Sequence, residues 1–197
     1  MQPEIEGKFT DIDVEAVRLK LNHVGAKLVT PERLLRRRTF DFADKRLFAV
    51  GGWVRLRDEG DKVTLAYKQV DDRGLTGTKE ASVVVADFEA TGHVLEAVGL
   101  VQKSYQETRR ESWVIDEVQV EIDTWPWLPS FLEIEAPTEA AFATTAQKLG
   151  LDPASALHSS IEPVYQQHFD VTDADINTWT QVTFGPVPDW LEARRKP

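Results

Sequence analysis

The sequence contains no cysteine. This absence excludes a disulfide framework, a thiolate metal site and a thiol nucleophile, and it fits a reducing compartment. The four histidines, His23, His93, His158 and His168, are not clustered at the spacing of zinc ligands, so a zinc site is not expected. No Gly-x-x-x-x-Gly-Lys-Ser/Thr loop occurs, which excludes a P-loop nucleotide site.

Net positive charge and long apolar runs are also absent. The 197 residues carry a net charge of −10, which disfavours general binding to nucleic acid or to an anionic membrane surface. No apolar run approaches the length of a transmembrane helix, and the first residues, MQPEIEGKF, have neither the charged nor the apolar region of a signal peptide. We therefore expect a cytoplasmic protein with no membrane partner, and the length favours one main domain.

What the chain does have is a series of alternating segments typical of β-strands. Eight strands are predicted, at Pro3–Phe9, Leu34–Phe42, Gly52–Asp58, Lys62–Gln69, Lys79–Ala86, Gln106–Ile115, Val118–Thr124 and Phe131–Ala136. Capping Asp or Thr residues and terminal glycines predict three helices between them, at Asp13–Val24, Asp87–Val98 and Thr138–Leu149.

The first strand carries a Glu-x-Glu-x-Lys pattern, which places Glu4, Glu6 and Lys8 on one face. Two carboxylates about 7 Å apart on a strand suit a hard divalent cation, and the ammonium suits a phosphate that the cation bridges. A solvated strand face would explain the pattern equally well if it stood alone. However, Glu133-Ile134-Glu135 repeats it, and Glu121-x-Asp123 adds a third acidic pair.

Sorting the strands by face separates apolar from charged side chains. The charged face carries both signs and collects Glu4, Glu6, Lys8, Arg36, Arg38, Arg55, Arg57, Lys68, Glu80, Arg110, Glu121, Asp123, Glu133 and Glu135. An open antiparallel sheet with one wet face is the simplest explanation. An α+β fold, with a closed eight-stranded antiparallel β tunnel and the helices packed outside, satisfies both faces and leaves no free edge. A charged interior is costly unless a ligand fills it, and a polyanion with its metal ions would do so.

In the order and spacing of these segments the chain resembles the CYTH family, also called triphosphate tunnel metalloenzymes, over about residues 3–169. The matching segments are Glu4–Lys8, Thr39–Asp41, Trp53–Arg57, Leu65–Lys68, Lys79–Glu80, Arg109–Trp113, Val120–Asp123 and Phe131–Glu135. The family includes class IV adenylyl cyclases, thiamine triphosphatases and inorganic triphosphatases. The resemblance implies a tunnel domain over residues 1–169, a small-molecule triphosphate as substrate and Mg²⁺ or Mn²⁺ as cofactor. A homodimer is compatible with the resemblance. We expect residues 170–197 to dock on the domain, because they are rich in apolar side chains.

The resemblance also implies roles for individual residues. Phosphate oxygens would be held by Lys8, Arg55, Arg57, Lys68, Arg109 and Arg110. The metal would be held by Glu4, Glu6, Asp123, Glu133 and Glu135. Catalytic roles fall to Lys8 and Glu80, with Glu80 either a metal ligand or the partner that orients an arginine. A neutral Lys8 amine would help to deprotonate water, but its acidic and basic neighbours push its pKa in opposite directions.

Three functions stay open at this point. The preferred one is metal-dependent hydrolysis of an inorganic or organic triphosphate, because it needs only the charged tunnel. The second is a class IV adenylyl cyclase, a phosphorus-oxygen lyase that makes cyclic AMP and pyrophosphate from ATP, although no residue set marks an adenine pocket. The third is a non-catalytic polyphosphate or nucleotide binder, which would not need the full acidic set.

Overall fold

The computed structural model describes residues 1–72, 74–158 and 160–197, with the backbone alone at positions 2 and 3. The described residues form nine strands: β1 (Gln2–Phe9), β2 (Lys27–Phe42), β3 (Gly52–Asp58), β4 (Val63–Val70), β5 (Thr78–Val85), β6 (Leu100–Ile115), β7 (Val118–Thr124), β8 (Phe131–Ala136) and β9 (Gln181–Val182). The same described residues form six α-helices: α1 (Val14–His23), α2 (Phe88–Ala97), α3 (Glu139–Lys148), α4 (Glu162–His168), α5 (Asp173–Ile176) and α6 (Asp189–Glu192). No helix in this described part of the chain is long and apolar enough to cross a membrane.

Eight strands form a closed antiparallel barrel, which confirms the predicted tunnel. Their order around the barrel is β2-β3-β4-β5-β1-β8-β7-β6, and pairing of β2 with β6 closes the ring. The short strand β9 adds in parallel to the part of β6 that β7 does not reach. The two Glu-Ile-Glu strands, β1 and β8, are antiparallel neighbours, and Glu6 lies directly opposite Glu135.

Strands β2 and β6 begin earlier than predicted, at Lys27 and Leu100 instead of Leu34 and Gln106. Pro31 interrupts the alternation in β2, because proline cannot donate a ladder hydrogen bond and is tolerated in sheets mainly at edges and bulges. The pairing with β6 shifts register on both sides of Thr30. The strand therefore continues through an irregularity that its sequence alone does not signal.

Helices α1 and α3 cover one side of the barrel, and their core contains Leu21, Phe142 and Ile134. Their predicted starts are confirmed, since Asp13 and Thr138 accept hydrogen bonds from the first turns. Gly7 of β1 lies beneath α3, where a Cβ atom would approach Cζ of Phe142 to 2.6 Å. The glycine in the Glu-Ile-Glu-Gly-Lys segment is therefore explained by helix packing rather than by the tunnel.

A second apolar cluster joins the carboxy-terminal residues to the loop between β7 and β8. Its buried members include Trp125, Tyr165, Trp179 and Leu191, and the Tyr165 hydroxyl donates to the Pro126 carbonyl at 3.0 Å. Residues beyond 169 thus contact the barrel through several side chains. The division at residue 169 stays a prediction.

Candidate active site

The barrel encloses a cavity of about 1120 Å³. Its buried and half-buried lining includes eight cations, Lys8, Arg33, Arg37, Arg55, Arg57, Lys68, Lys103 and Arg110. The buried and half-buried carboxylates of the same lining are Glu4, Glu6, Asp41, Glu59, Glu121, Asp123, Glu133, Glu135, Glu162 and Asp173. Strand alternation explains this density, because every second residue of a barrel strand points inward.

The carboxylates are concentrated on the neighbouring strands β1, β8 and β7. Glu6 faces Glu135 across one strand pair, and Glu133 faces Glu121 across the next. Burial, with a smaller contribution from Asp123 and Glu133, raises the pKa of Glu121 to about 7 although Arg110 opposes this. Burial also raises the pKa of Glu135, again reinforced by neighbouring carboxylates. This acidic wall therefore holds more negative charge than its surroundings neutralise.

Cations dominate the opposite strands β2, β3 and β4. Burial and, after it, the nearby charges of Arg55 and Arg110 lower the pKa of Arg57 to about 10. A fully buried arginine on β2, Arg37, has its pKa lowered by the same causes. This basic wall carries a surplus of positive charge that Glu59 only partly offsets.

Ion pairs connect the two walls. The Lys68 ammonium lies 2.7 Å from Oε2 of Glu4 and 3.1 Å from Oε2 of Glu80. Arg110 donates from Nε to Oδ1 of Asp123 at 2.7 Å. Lys68 and Arg110 are thus each held by a carboxylate of the same tunnel, Glu4 and Asp123. A polyanion and a cation entering together would replace these internal partners.

Lys8 lies within the acidic wall, 3.1 Å from Glu133 and 3.4 Å from Glu6. Burial alone would lower the pKa of Lys8, but the charges and hydrogen bonds of these two glutamates outweigh it and raise the pKa above its usual value. The opposing influences left open by the sequence are therefore resolved toward a protonated ammonium. The arrangement favours Lys8 as a hydrogen-bond donor rather than as a proton acceptor.

Glu80 forms ion pairs with two cations of the cavity lining and is not itself part of that lining. Its Oε2 atom lies 3.1 Å from Arg55 Nη2 and 3.1 Å from Lys68 Nζ. Burial opposes ionisation of Glu80, yet Arg55 and Lys68 hold its pKa at about 2. Glu4 shares Lys68 with it, and burial raises the pKa of Glu4 to about 7 despite that ammonium. Glu80 therefore orients two cations of the basic wall.

The acidic wall offers only oxygen donors to a divalent metal. In the described ranges 1–72, 74–158 and 160–197, no three carboxylates or histidines are already grouped closely enough to hold a metal ion. The donor set nevertheless fits, because all its ligands are oxygens, as Mg²⁺ and Mn²⁺ prefer. Oε2 of Glu121 is buried and has no hydrogen-bond partner. A metal site would therefore form when the carboxylates exchange their ammonium and guanidinium partners for the metal.

The structure brings together most of the residues predicted for the site. Ten of them line the one cavity: Glu4, Glu6, Lys8, Arg55, Arg57, Lys68, Arg110, Asp123, Glu133 and Glu135. Glu80 touches this set through Arg55 and Lys68. Arg109 is not brought to the tunnel. It is exposed on the outer surface, with its guanidinium carbon 4.6 Å from the ring centroid of Phe184.

The predicted inner face of β2, with Arg36 and Arg38, is wrong. Arg36 and Arg38 lie outside the barrel, where they pair with Asp58 and Glu89 and flank the ring of Phe88 on α2. The inward arginines of β2 are Arg33 and Arg37.

The predicted site residues do not include several charged residues of the tunnel, among them Arg33, Arg37, Glu59 and Glu121. A signal for Arg37 was present in the sequence, because the apolar Phe40 shares the face of Arg36 and Arg38. Phe40 is fully buried under α2, so the opposite, odd-numbered residues must point inward. Glu121 alternates with Asp123 in the same way.

No curated protein matches the sequence. Three solved structures share the fold. A protein from Pyrococcus horikoshii OT3 has a TM-score of 0.66 and 21% sequence identity, and the match covers 82% of this chain and 98% of that chain. An adenylate cyclase candidate from Vibrio parahaemolyticus has a TM-score of 0.70 and 16% identity, with 84% of this chain and 98% of that chain covered. An adenylyl cyclase candidate from Hippeastrum, described as having a dominant triphosphatase activity, has a TM-score of 0.57 and 15% identity, with 81% of this chain and 91% of that chain covered.

These identities are low enough that the three structures establish the fold and nothing finer. The sequence profile of the CYTH domain matches residues 2–161, most of the chain and all eight barrel strands. With the closed barrel and its two charged walls, this match shows that the chain belongs to the CYTH domain family.

Proposed function

We propose that this protein is a metal-dependent triphosphatase that hydrolyses a phosphoanhydride bond of an inorganic or organic triphosphate. The observation that carries the proposal is the opposition of two buried, under-neutralised charged walls in one cavity. A triphosphate would relieve the surplus positive charge around Arg57, and a divalent cation would relieve the surplus negative charge around Glu121. Neither ligand alone relieves both walls.

The phosphate chain would lie along Arg55, Arg57, Lys68 and Arg110, with Lys8 reaching it from the acidic wall. The planar guanidinium donates paired hydrogen bonds to phosphate oxygens. Glu80 would hold Arg55 and Lys68 in place as the substrate binds. These cations act most strongly where charge develops in the transition state, in a site from which water is partly excluded.

Membership of the CYTH family implies dependence on a divalent metal, and we propose Mg²⁺ or Mn²⁺ at Glu4, Glu6, Asp123, Glu133 and Glu135. When bound, such a metal supplies Lewis-acid stabilisation of charge on the phosphoryl oxygens. The protein's own contribution is to orient the chain. Lys8, which its glutamate partners keep protonated, would donate to a phosphate oxygen instead of acting as the base for water.

Hydrolysis is preferred to cyclisation because it asks less of the site. A cyclase must also hold adenine and direct a ribose hydroxyl at the α-phosphorus, and no group of tunnel residues marks an adenine pocket. The Hippeastrum relative, described as a cyclase candidate with a dominant triphosphatase activity, supports the same preference. A pure binder is disfavoured because its phosphate-holding cations would not require the acidic wall.

Product analysis tests this proposal. The protein is incubated with Mn²⁺ and, separately, with tripolyphosphate, thiamine triphosphate and ATP, and orthophosphate, pyrophosphate and cyclic AMP are measured. We expect orthophosphate from at least one triphosphate and little cyclic AMP. Stoichiometric cyclic AMP and pyrophosphate from ATP, with no orthophosphate from tripolyphosphate, would replace the hydrolase by the cyclase.

A further inference from the structure

Arg37 is a buried cation of the tunnel that has no carboxylate partner among the described residues. Its surface is only 8% exposed. In the part of the chain that the structure describes, six further cations of the tunnel each lie within 3.7 Å of a carboxylate oxygen: Lys8, Arg33, Arg55, Arg57, Lys68 and Arg110. Lys103 also lines the cavity, but it is only half-buried. Within the same described residues, no ion pair involves Arg37. A buried cation without an anion is costly.

The contacts of Arg37 hold its guanidinium in place without neutralising it. Nη2 donates to the neutral hydroxyl of Thr108 at 3.0 Å. The guanidinium carbon lies 4.5 Å from the ring centroid of Trp125, within the range of a cation–π contact. Nε is buried and has no hydrogen-bond partner among the described residues. The group is therefore oriented, yet part of its donor capacity is unused.

Other positive charges surround this guanidinium. Arg57 lies directly opposite Arg37 on the neighbouring strand β3. Burial lowers the pKa of Arg37, and the charges of Arg57, Arg55 and Arg110 lower it further, while Asp123 acts in the opposite direction. These four arginines thus form one cationic patch, and a phosphoryl group carries the charge and the oxygen acceptors that such a patch requires.

We infer that Arg37 binds a phosphoryl oxygen of the triphosphate beside Arg57, and that Trp125 is the positioning residue that holds it there. The inference rests on the proposed function and deepens it, because it adds a phosphate-binding group on β2 to those on β3, β4 and β6. The planar fork would use its free Nε toward the substrate while Nη2 stays on Thr108. The aromatic face would keep the guanidinium oriented before the substrate arrives.

Replacing Arg37 separates this role from a structural one. In Arg37→Met an unbranched apolar side chain replaces the arginine, and the uncompensated buried charge disappears. If Arg37 binds phosphate, the variant keeps or gains thermal stability while it loses substrate affinity. If Arg37 is structural, the unfolding midpoint falls. Arg36→Met is the matched control, since the neighbouring Arg36 is exposed on the outer face and paired with Asp58.

The experiment titrates tripolyphosphate into wild type, Arg37→Met, Arg37→Lys and Arg36→Met by calorimetry, in a chelator so that hydrolysis does not interfere. Thermal unfolding of each protein is recorded in parallel. We expect at least tenfold weaker tripolyphosphate binding for Arg37→Met, which is about 1.4 kcal/mol. Arg37→Lys should lose less affinity, because it keeps the positive charge but not the planar guanidinium group. Arg36→Met should bind with wild-type affinity. If Arg37→Met does not fold, Arg37→Lys carries the test.

Two results overturn the inference and leave the proposed function intact. One is a tripolyphosphate affinity of Arg37→Met within twofold of the wild-type value. The other is a loss of affinity in Arg37→Met that is accompanied by a lower unfolding midpoint. If the wild type binds tripolyphosphate only when metal is present, the KM for tripolyphosphate in Mn²⁺ is compared for the same four proteins, with the same order expected. Failure of the wild type to bind tripolyphosphate in chelator and also to hydrolyse it with Mn²⁺ overturns both the inference and the proposed function. The role of Trp125 is tested by rescue: Trp125→Leu should weaken tripolyphosphate binding severalfold, and Trp125→Phe, which restores an aromatic face, should recover it. Equal affinities for these two variants overturn the positioning role.

Discussion

The ammonium of Lys8 lies 3.1 Å from Oε2 of Glu133, the residue directly opposite it on the neighbouring strand. Oε1 of the same glutamate accepts from Arg110 at 2.9 Å. Burial opposes ionisation of Glu133, yet Lys8 and Arg110 hold its pKa well below the usual range. One carboxylate therefore occupies two cations that the proposed function assigns to phosphate. Phosphate binding would release Glu133 for a metal, so the two ligands should favour each other's binding.

The first prediction concerns the role of Lys8. Because its pKa is raised, Lys8 should stay protonated throughout the neutral range and act as a donor. We expect Lys8→Gln to lower the rate of triphosphate hydrolysis by about 30- to 1000-fold, the scale for losing one transition-state donor of about 2–4 kcal/mol. The loss should be uniform in a pH–rate profile between pH 6 and pH 9. If the apparent pKa of the pH–rate profile shifts in Lys8→Gln, Lys8 would instead be the titrating base. Lys148→Gln, on the exposed end of α3, serves as the control.

The second prediction contrasts two arginines of the predicted site. Arg57→Gln should lower the rate by about the same 30- to 1000-fold, because it removes a buried donor to phosphate. Its unfolding midpoint should change little, since the substitution also relieves repulsion with Arg55 and Arg110. Arg109→Gln should leave hydrolysis unchanged, because Arg109 packs outside on Phe184. Normal turnover in Arg57→Gln, or a large loss in Arg109→Gln, would reverse this assignment.

The third prediction concerns the metal. Glu135→Gln should weaken Mn²⁺ binding and triphosphate hydrolysis at least tenfold, because it removes a carboxylate from the acidic wall where Glu6 and Glu135 are paired. Mn²⁺ affinity is measured by electron paramagnetic resonance. The control is Glu139→Gln, an exposed residue at the start of α3. Unchanged Mn²⁺ affinity in Glu135→Gln would remove Glu135 from the metal site.

The fourth prediction concerns acid stability outside the tunnel. Arg18 of α1 donates from Nη2 to Oε2 of Glu111 on β6 at 2.7 Å, and Trp113 donates to Oε1 of Glu111 at 2.7 Å. Burial would raise the pKa of Glu111, but the hydrogen bonds from Arg18 and Trp113 lower it below its usual value. The folded state then binds fewer protons than the unfolded state, so this stabilisation is present above about pH 4.5 and is lost as the pH falls.

Urea unfolding between pH 3 and pH 7 measures this effect. The wild type should lose more unfolding free energy on acidification than Glu111→Gln, by no more than about 1 kcal/mol because Arg18 is partly exposed. Glu15→Gln, which removes only the more exposed partner of Arg18, should keep most of the wild-type slope. Parallel curves for wild type and Glu111→Gln would show that the pair does not stabilise the fold.

Strand alternation predicted most of the site because the period of two is strict in β1, β3, β7 and β8. It placed Glu4, Glu6 and Lys8 together, and it placed Glu133 and Glu135 with them, although more than a hundred residues separate the segments. Barrel closure then brought both signs of charge into one cavity. No helix or loop packing was needed for that part.

The same reasoning failed where charge lies on both faces of a strand. In β2, arginines occur at 33, 36, 37 and 38, so charge alone cannot show which face is inside. The choice depends on Phe88 and Glu89 of α2, which hold Arg36 and Arg38 outside. Arg109 raised the same problem beside Arg110, and its partner Phe184 belongs to a segment whose docking position no sequence pattern indicates. These contacts are tertiary, and alternation does not encode them.

The most direct test of the account is the release of orthophosphate from tripolyphosphate by the metal-depleted wild-type protein, measured as Mg²⁺ or Mn²⁺ is added back. We predict no release in chelator, release that rises and saturates with added metal, and loss of that activity in Arg57→Gln at every metal concentration. Undiminished release in chelator by protein shown to be metal-free would contradict the account, because the acidic wall would then have no part in the reaction.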